Sequence, residues 1–283
     1  MAGLVVASMF GGVGNQLFCW ATGFALAHRR GLELAVECGS FERDPHGRAL
    51  VLQHLGIVER TESYNAIERI AIPALARIAQ ANGGQVRLPG CMVLTEPRGL
   101  LNRMLLKEHI TERCYLRGYW QSQKYFEDCA DEVRDAVSLR PCRELDVPAD
   151  AVCVHMRSYK EVNVQLRTQL PKEYYIAAYA RCRERISSPR FVIYSDDMEW
   201  AEERGMLPSE YDVGGAGHTS DCASHDLCDL VKMSRFRNIV IANSTFSWWS
   251  AFLSAPNTWV QAPAVSRGCW FSSEPIPEKW EQL

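Results

Sequence analysis

Several features that would name a partner by simple chemistry are missing from this 283-residue chain. Lys and Arg number 31 against 34 Asp and Glu, a formal net charge of −3. No broad basic field therefore exists to hold nucleic acid or an anionic membrane, and an anionic ligand needs a local site. No stretch of about 18 apolar residues occurs, so no span of a membrane is expected. The opening Met1-Ala2-Gly3-Leu4-Val5-Val6 has no basic leader and reads as a strand rather than a signal peptide. The chain has 11 cysteines but no C-x-x-C spacing, and the pair Cys222 and Cys228 lacks the second pair of a zinc site. Reduced, mostly buried thiols in a cytoplasmic protein are the expectation. No D-x-D triplet is present, so the usual divalent-metal clamp on a nucleotide diphosphate is absent.

What remains is an ordinary globular composition, 47% hydrophobic and 23% charged. It excludes disorder and collagen-like repeats. The length corresponds to two domains of roughly 150 residues and needs no disulfide or metal staple for size reasons. Leu4 to Met9 is an all-apolar run of strand length, followed by the turn Phe10-Gly11-Gly12-Val13-Gly14-Asn15. Leu17, Phe18, Ala21, Phe24, Ala25 and His28 then recur at helical spacing up to Gly31, and Leu32 to Val36 reads as a second strand. An all-apolar strand implies a sheet covered on both faces, hence parallel α/β architecture.

Thr61 to Arg113 is the least legible part. Ile67 to Ala81 is helical in pattern around Pro73, and Gly83-Gly84 and Pro89-Gly90 mark loops. Cys114 to Trp120 reads as a strand and Val133 to Leu139 as part of a helix. Pro141 to Asp150 reads as a linker, which divides the chain into residues 1–145 and 146–283. Beyond it, strand, loop and helix alternate. Strands are expected at Ala151 to Met156, Phe191 to Tyr194 and Asn238 to Ala242. Helices are expected at Tyr174 to Ile186, Met198 to Arg204 and Phe246 to Ser254. Two parallel α/β units place a ligand in the cleft between them, at the carboxyl ends of the strands.

Four constellations carry chemistry. Gly12 and Gly14 open a dinucleotide fingerprint, but Leu17 occupies the third glycine position and no P-loop Lys-Ser or Lys-Thr follows. The turn is either a purely structural bend or a ligand loop. Asn15-Gln16 at the helix start favours the second, because free amides there attract an anion and a carboxamide can meet a sugar or phosphate. His155 and Arg157 end a strand on one face. A histidine alone is a core residue as readily as a ligand contact, but a buried guanidinium needs an anion. Asp196 and Asp197 close another strand, as helix caps or as acceptors for the N1–H and N2–H₂ donors of guanine. Ser244, Thr245 and Ser247 open a helix ahead of Trp248-Trp249, as ordinary caps or as an uncharged anion cradle.

These residues carry a family resemblance. Gly11-Gly12-Val13-Gly14-Asn15-Gln16-Leu17-Phe18 resembles the opening of glycosyltransferase family 11, the α-1,2-fucosyltransferases. Three further blocks match in order: Gly118-Tyr119-Trp120-Gln121-Ser122-Gln123-Lys124-Tyr125-Phe126, Tyr194-Ser195-Asp196-Asp197-Met198-Glu199-Trp200, and Ala242-Asn243-Ser244-Thr245-Phe246-Ser247-Trp248-Trp249. The resemblance implies a GT-B-like fold, two Rossmann-type domains with parallel sheets facing across a cleft. It also implies inverting, metal-independent transfer of L-fucose from GDP-fucose, with no cofactor beyond that co-substrate. Carried over, guanine and β-phosphate contacts fall on His155 and Arg157, and the guanine-binding carboxylate on Asp196 or Asp197. The phosphate-binding hydroxyls fall on Ser244, Thr245 and Ser247, and the sugar-proximal asparagine on Asn15. One block departs: the family reads H-x-R-R-G-D-Y, whereas this chain reads His155-Met156-Arg157-Ser158-Tyr159. Lys160 and Arg167 are the candidate replacements for the missing arginine.

The reading is a cytoplasmic α-1,2-fucosyltransferase acting on a galactoside, oligosaccharide or glycolipid-linked, with possible peripheral membrane association. Its N-terminal half would bind the acceptor and its C-terminal half GDP. Catalytic roles fall on Arg157 and Asn15, with Glu37 as candidate base. The alternatives are a transferase of the same fold using another GDP-sugar or an unusual acceptor, and a non-catalytic GDP-sugar-binding module.

Overall fold

The computed structural model describes residues 3–97, 100–103, 105, 113–138, 146–160, 169–215, 224–265 and 274–283. Arg167, residues 141–145 of the expected 141–150 linker, and Cys142, Cys222 and Cys269 lie outside them. The chain divides into two compact units, one of residues 1–138 with 271–275 and the other of 139–270 with 276–283. The division thus falls ahead of the expected linker, and a short piece near the C-terminus returns to the first unit.

Unit 1 opens with β1 (Leu4–Ser8) and α1 (Val13–Arg30), then β2 (Glu33–Glu37). Two 3₁₀ turns lead to β3 (Arg60–Glu62), followed by α2 (Glu68–Ala81), β4 (Gln85–Leu88), β5 (Cys91–Leu94), β6 (Arg113–Leu116) and α3 (Ala130–Ala136). The sheet order is β3-β2-β1-β6-β5-β4, with every described pairing parallel except the β4–β5 hairpin. β1 is central and nearly wholly buried, which is why it reads as a continuous apolar run. α1 packs Leu17, Phe18, Ala21 and Ala25 inward and stops at Gly31, which takes the left-handed conformation at φ +61°. The hairpin and the three-residue β3 escaped the sequence reading. β3 and β4 are short, mostly exposed edge strands whose alternation is too brief to register, and β5 is a buried run of only four residues.

Unit 2 runs β7 (Ala151–Met156), α4 (Lys172–Arg185), β8 (Arg190–Ser195), α5 (Met198–Glu203), β9 (Asp212–Val213), α6 (His225–Met233), β10 (Asn238–Val240), α7 (Thr245–Phe252), β11 (Trp259–Ala262) and β12 (Glu281–Gln282). Its sheet order is β12-β11-β10-β7-β8-β9, parallel in every described pairing. All six residues of β7 are buried, as expected of a central strand covered on both faces. Val152, Val154, Tyr174, Tyr175, Ile193 and Trp200 share one core cluster. Trp248 and Trp249 of α7 are fully buried and stack with each other, Phe252 and, for Trp248, Trp280.

Cys19, Cys114, Cys129, Cys153 and Cys182 are buried thiols whose burial pushes their pKa up, so they are unreactive core residues. Cys228 departs from the expectation of reduced thiols, since it is disulfide-bonded.

Candidate functional site

β7, β8 and β10 are adjacent and parallel, so their carboxyl ends share one edge of the unit 2 sheet. Ligands of open α/β sheets gather at such an edge. It brings together most of the predicted C-terminal residues. His155, 6% exposed, places its ring 5.6 Å from that of Phe246 at the start of α7. Its Nδ1 has no hydrogen-bond partner. Burial, reinforced by the neighbouring Arg157 charge, pushes its pKa down to about 3, so the imidazole is neutral.

Arg157 extends one guanidinium nitrogen to Asp196 Oδ2 at 2.9 Å and lies over the Tyr159 ring at 5.4 Å. Asp196 also accepts from the Ser158 amide at 2.7 Å and the Ser158 hydroxyl at 2.9 Å. Asp196 thus anchors the chain leaving β7. Tyr159 holds a left-handed φ of +57° and donates its hydroxyl to the Asn243 carbonyl, tying the same loop to the turn after β10. The strain of that backbone is held by bonds at either end. Asp197 caps α5 by accepting from the Trp200 amide at 3.0 Å, with Lys160 Nζ 3.0 Å away. The cap, then the lysine, lowers its pKa. The capping alternative thus describes Asp197, while Asp196 is drawn into the Arg157 cluster. Lys160 is directed at Asp197 and is largely exposed.

At α7 the hydroxyls divide. Ser244 occupies the N-cap position without using its side chain as a cap, and Thr245 is half-buried beside it. Ser247 is fully buried and donates back to main-chain carbonyls, 3.3 Å from Ser244 O and 3.5 Å from Ala242 O. Ser247 therefore turns inward, while Ser244, Thr245 and the first-turn amides form the polar end of the helix. Helix hydrogen bonding begins with the Trp248 amide on Ser244 O, and the earlier amides stay open to an anion.

The unit 1 edge is built differently. Gly11 has φ +67°, and a Cβ there would meet Asn15 Nδ2 at 2.6 Å, so glycine is required. Gly12 is the N-cap of α1, with open space where a Cβ would point, and Gly14 is buried in the first turn. Asn15 Oδ1 accepts from Gln121 Nε2 at 3.0 Å, which joins the glycine loop to the mid-chain block. Gln16 is not a ligand group: it is 1% exposed and binds Gly11 O, Ala49 O and the Val51 amide. Glu37, at the end of β2, is 4% exposed and accepts from the Gly39 amide at 2.7 Å. Burial raises its pKa.

Sequence reasoning missed Glu96, two residues past β5. It accepts from the Tyr119 amide at 3.1 Å and the Trp120 amide at 2.8 Å. Desolvation, only partly offset by those bonds, pushes its pKa up to about 7. A lone Glu closing the apolar run Cys91-Met92-Val93-Leu94-Thr95 was the available signal. Among the described residues no group of three or more His, Cys, Asp or Glu is placed to hold a metal ion, and no helix is long and apolar enough to cross a membrane.

A sequence model of Glycosyl transferase family 11 matches residues 103–273. The chain is 25% identical to an α-1,2-colitosyltransferase of Escherichia coli, over 99% of each chain. It is 31% identical to galactoside 2-α-L-fucosyltransferase Sec1 of Mus musculus over 115 residues, 39% of this chain and 30% of that one. Among solved structures it is similar to a mutant of Arabidopsis thaliana FUT1 in complex with GDP. The TM-score is 0.51 at 11% identity, covering 93% of this chain and 70% of that one. That likeness shows the GT-B-like α/β fold expected from the sequence.

Proposed function

The chain belongs to glycosyltransferase family 11, and from that premise we propose that it transfers L-fucose from GDP-fucose to a galactoside hydroxyl with inversion. The observation that carries this reading is the carboxyl edge of unit 2, where Arg157, neutral His155 and the open amides of α7 are collected. One guanidinium with hydroxyls and amides meets a diphosphate without a bulk basic field. As the bond from the sugar to the β-phosphate breaks, charge accumulates on the leaving GDP, and fixed donors there lower the barrier. Losing one such donor typically costs roughly 3 kcal/mol.

His155, uncharged and with a vacant Nδ1, suits hydrogen bonding to the nucleotide rather than charge neutralisation. Asp196 is the carboxylate proposed for the guanine edge; its bonds to Ser158 and Arg157 would orient it. Asn15, held by Gln121, is the sugar-side amide of unit 1. The reading needs no metal, because arginine and amides supply the positive field. Activity abolished by EDTA and restored by manganese would contradict that part.

A second reading is favoured by the colitosyltransferase similarity over nearly the full length and by the altered Arg157-Ser158-Tyr159 block. It is the same reaction with another GDP-sugar, a colitosyl donor among them. A donor panel read by GDP release with and without lactose separates the two. Turnover of GDP-fucose is expected. Turnover confined to a different donor would transfer the assignment to that sugar, and GDP binding without any turnover would leave a binding module.

A further inference from the structure

The base of the transfer reaction was expected at Glu37, yet another carboxylate lies at the same edge of the unit 1 sheet. β5 and β6 pair in parallel, Leu94 opposite Leu116, so Glu96 and the Arg117–Gln121 segment leave the sheet side by side. Glu96 is anchored by one oxygen: Oε2 takes the amides of Tyr119 and Trp120. Trp120 sits at a left-handed φ of +54°, and a Cβ on Gly118 would lie 3.3 Å from the same oxygen. The turn is thus shaped around the carboxylate. Oε1 has only a long contact, 3.4 Å, with the Tyr125 hydroxyl, so one oxygen holds the turn and the other keeps acceptor capacity.

Beside it lies an aromatic platform. Tyr119 is 44% exposed, although most large aromatic side chains of this protein are buried. Its ring meets Phe10 edge-on at 5.9 Å, and the Arg117 guanidinium lies 4.9 Å from the Phe10 centroid. Phe10 and Gly11 begin the glycine loop, and Gln121, two residues past Tyr119, holds Asn15. Tyr119 thus binds the carboxylate through its amide and leaves its ring exposed. An aromatic face and a carboxylate on one turn match a sugar, which offers an apolar C–H face and a ring of hydroxyls.

We propose that Tyr119 and Phe10 form the platform on which the acceptor sugar lies, and that Glu96 Oε1 receives the proton of its reacting hydroxyl. This rests on the transferase reading above. The bond from the acceptor oxygen to the anomeric carbon forms while the bond to the β-phosphate breaks. The electron pair leaves with GDP and the proton ends on Glu96. Glu37 is less suited, since it is 4% exposed whereas Glu96 is partly exposed. The titratable groups facing Glu96 are the Tyr125 phenol and the Cys19 thiol, both pushed well above neutrality by burial. Glu96 is therefore the group of this cluster that ionises near pH 7.

A purely structural Glu96 would only hold the 118–120 turn, and Glu96→Gln separates the roles because its amide oxygen still accepts both amides. With saturating donor, the variant is expected to lose on the order of a hundredfold in kcat. The KM for lactose should change little, GDP affinity should be unchanged, and the rise of rate with pH centred near 7 should vanish. Tyr119→Ala is expected to weaken lactose binding, followed by NMR titration, about tenfold without altering GDP affinity. Glu96→Gln with the parent's kcat and pH profile, or Tyr119→Ala with the parent's lactose affinity, overturns the proposal. If the parent turns over no donor at all, the transferase reading fails instead, and the lactose titration still decides the subsite.

Discussion

Unit 1 and unit 2 carry six-stranded sheets of nearly the same plan, central parallel strands with the first strand of each unit in the middle. Their carboxyl edges differ in kind. In unit 2 the strand ends supply a guanidinium, a neutral imidazole and open helix amides, tied by Asp196 and Tyr159 into one cluster. In unit 1 they supply an exposed tyrosine, two carboxylates with raised pKa and a carboxamide pair. One edge is suited to an anion and the other to a neutral polyol. On the proposed reading a shared chassis serves two binding chemistries, because the residues just past each strand can differ without changing the sheet plan.

The largest expected effect tests the anionic half of this contrast. Arg157→Ala removes the guanidinium and leaves Asp196 without its cationic partner. GDP affinity by calorimetry should fall about a hundredfold, roughly 3 kcal/mol, given the strength of charge-assisted hydrogen bonds. GDP bound as tightly as by the parent would mean that the unit 2 edge is not the nucleotide site.

A smaller effect is a pH dependence of stability. Buried His155 stays neutral down to about pH 3, whereas its unfolded counterpart takes a proton below the ordinary histidine value of 6.5. The unfolded state therefore binds more protons between those pH values. Stability should fall as pH drops through 6.5, by at most about 1.4 kcal/mol per pH unit. Denaturant titrations of the parent and His155→Phe should show that slope reduced in the variant. An unchanged slope would place the protonation elsewhere. The smallest effect sharpens the comparison within unit 1. Glu37→Gln should change kcat less than about threefold, in contrast to Glu96→Gln. A hundredfold loss at Glu37, with the pH profile abolished, would reverse the assignment between the two carboxylates.

Legibility followed burial. β7 reads from the sequence to the residue because all six positions are apolar or buried within a punctuated pattern. The Gly11 turn was readable because a left-handed φ beside a packed asparagine admits only glycine. The paired aspartates left two meanings open, and the choice between a cap and a charge partner depends on which donor lies across the turn. Asp197 meets the Trp200 amide, a local contact that spacing predicts. Asp196 meets Ser158 and Arg157, 38 and 39 positions away, which spacing does not. Glu96 was hidden for the same reason. Nothing in the run Leu94-Thr95-Glu96-Pro97 shows that two amides from another strand end will surround its carboxylate.

Composition and motif spacing settled the scale of the problem: two α/β units, no bulk positive field, and family blocks placed at strand-to-helix turns. These are local or additive properties, carried by hydrophobic periodicity and turn chemistry. The protonation states at the strand ends were decided only by the assembled sheets. Desolvation and long-range partners set them, and both exist only once strands distant in sequence lie side by side.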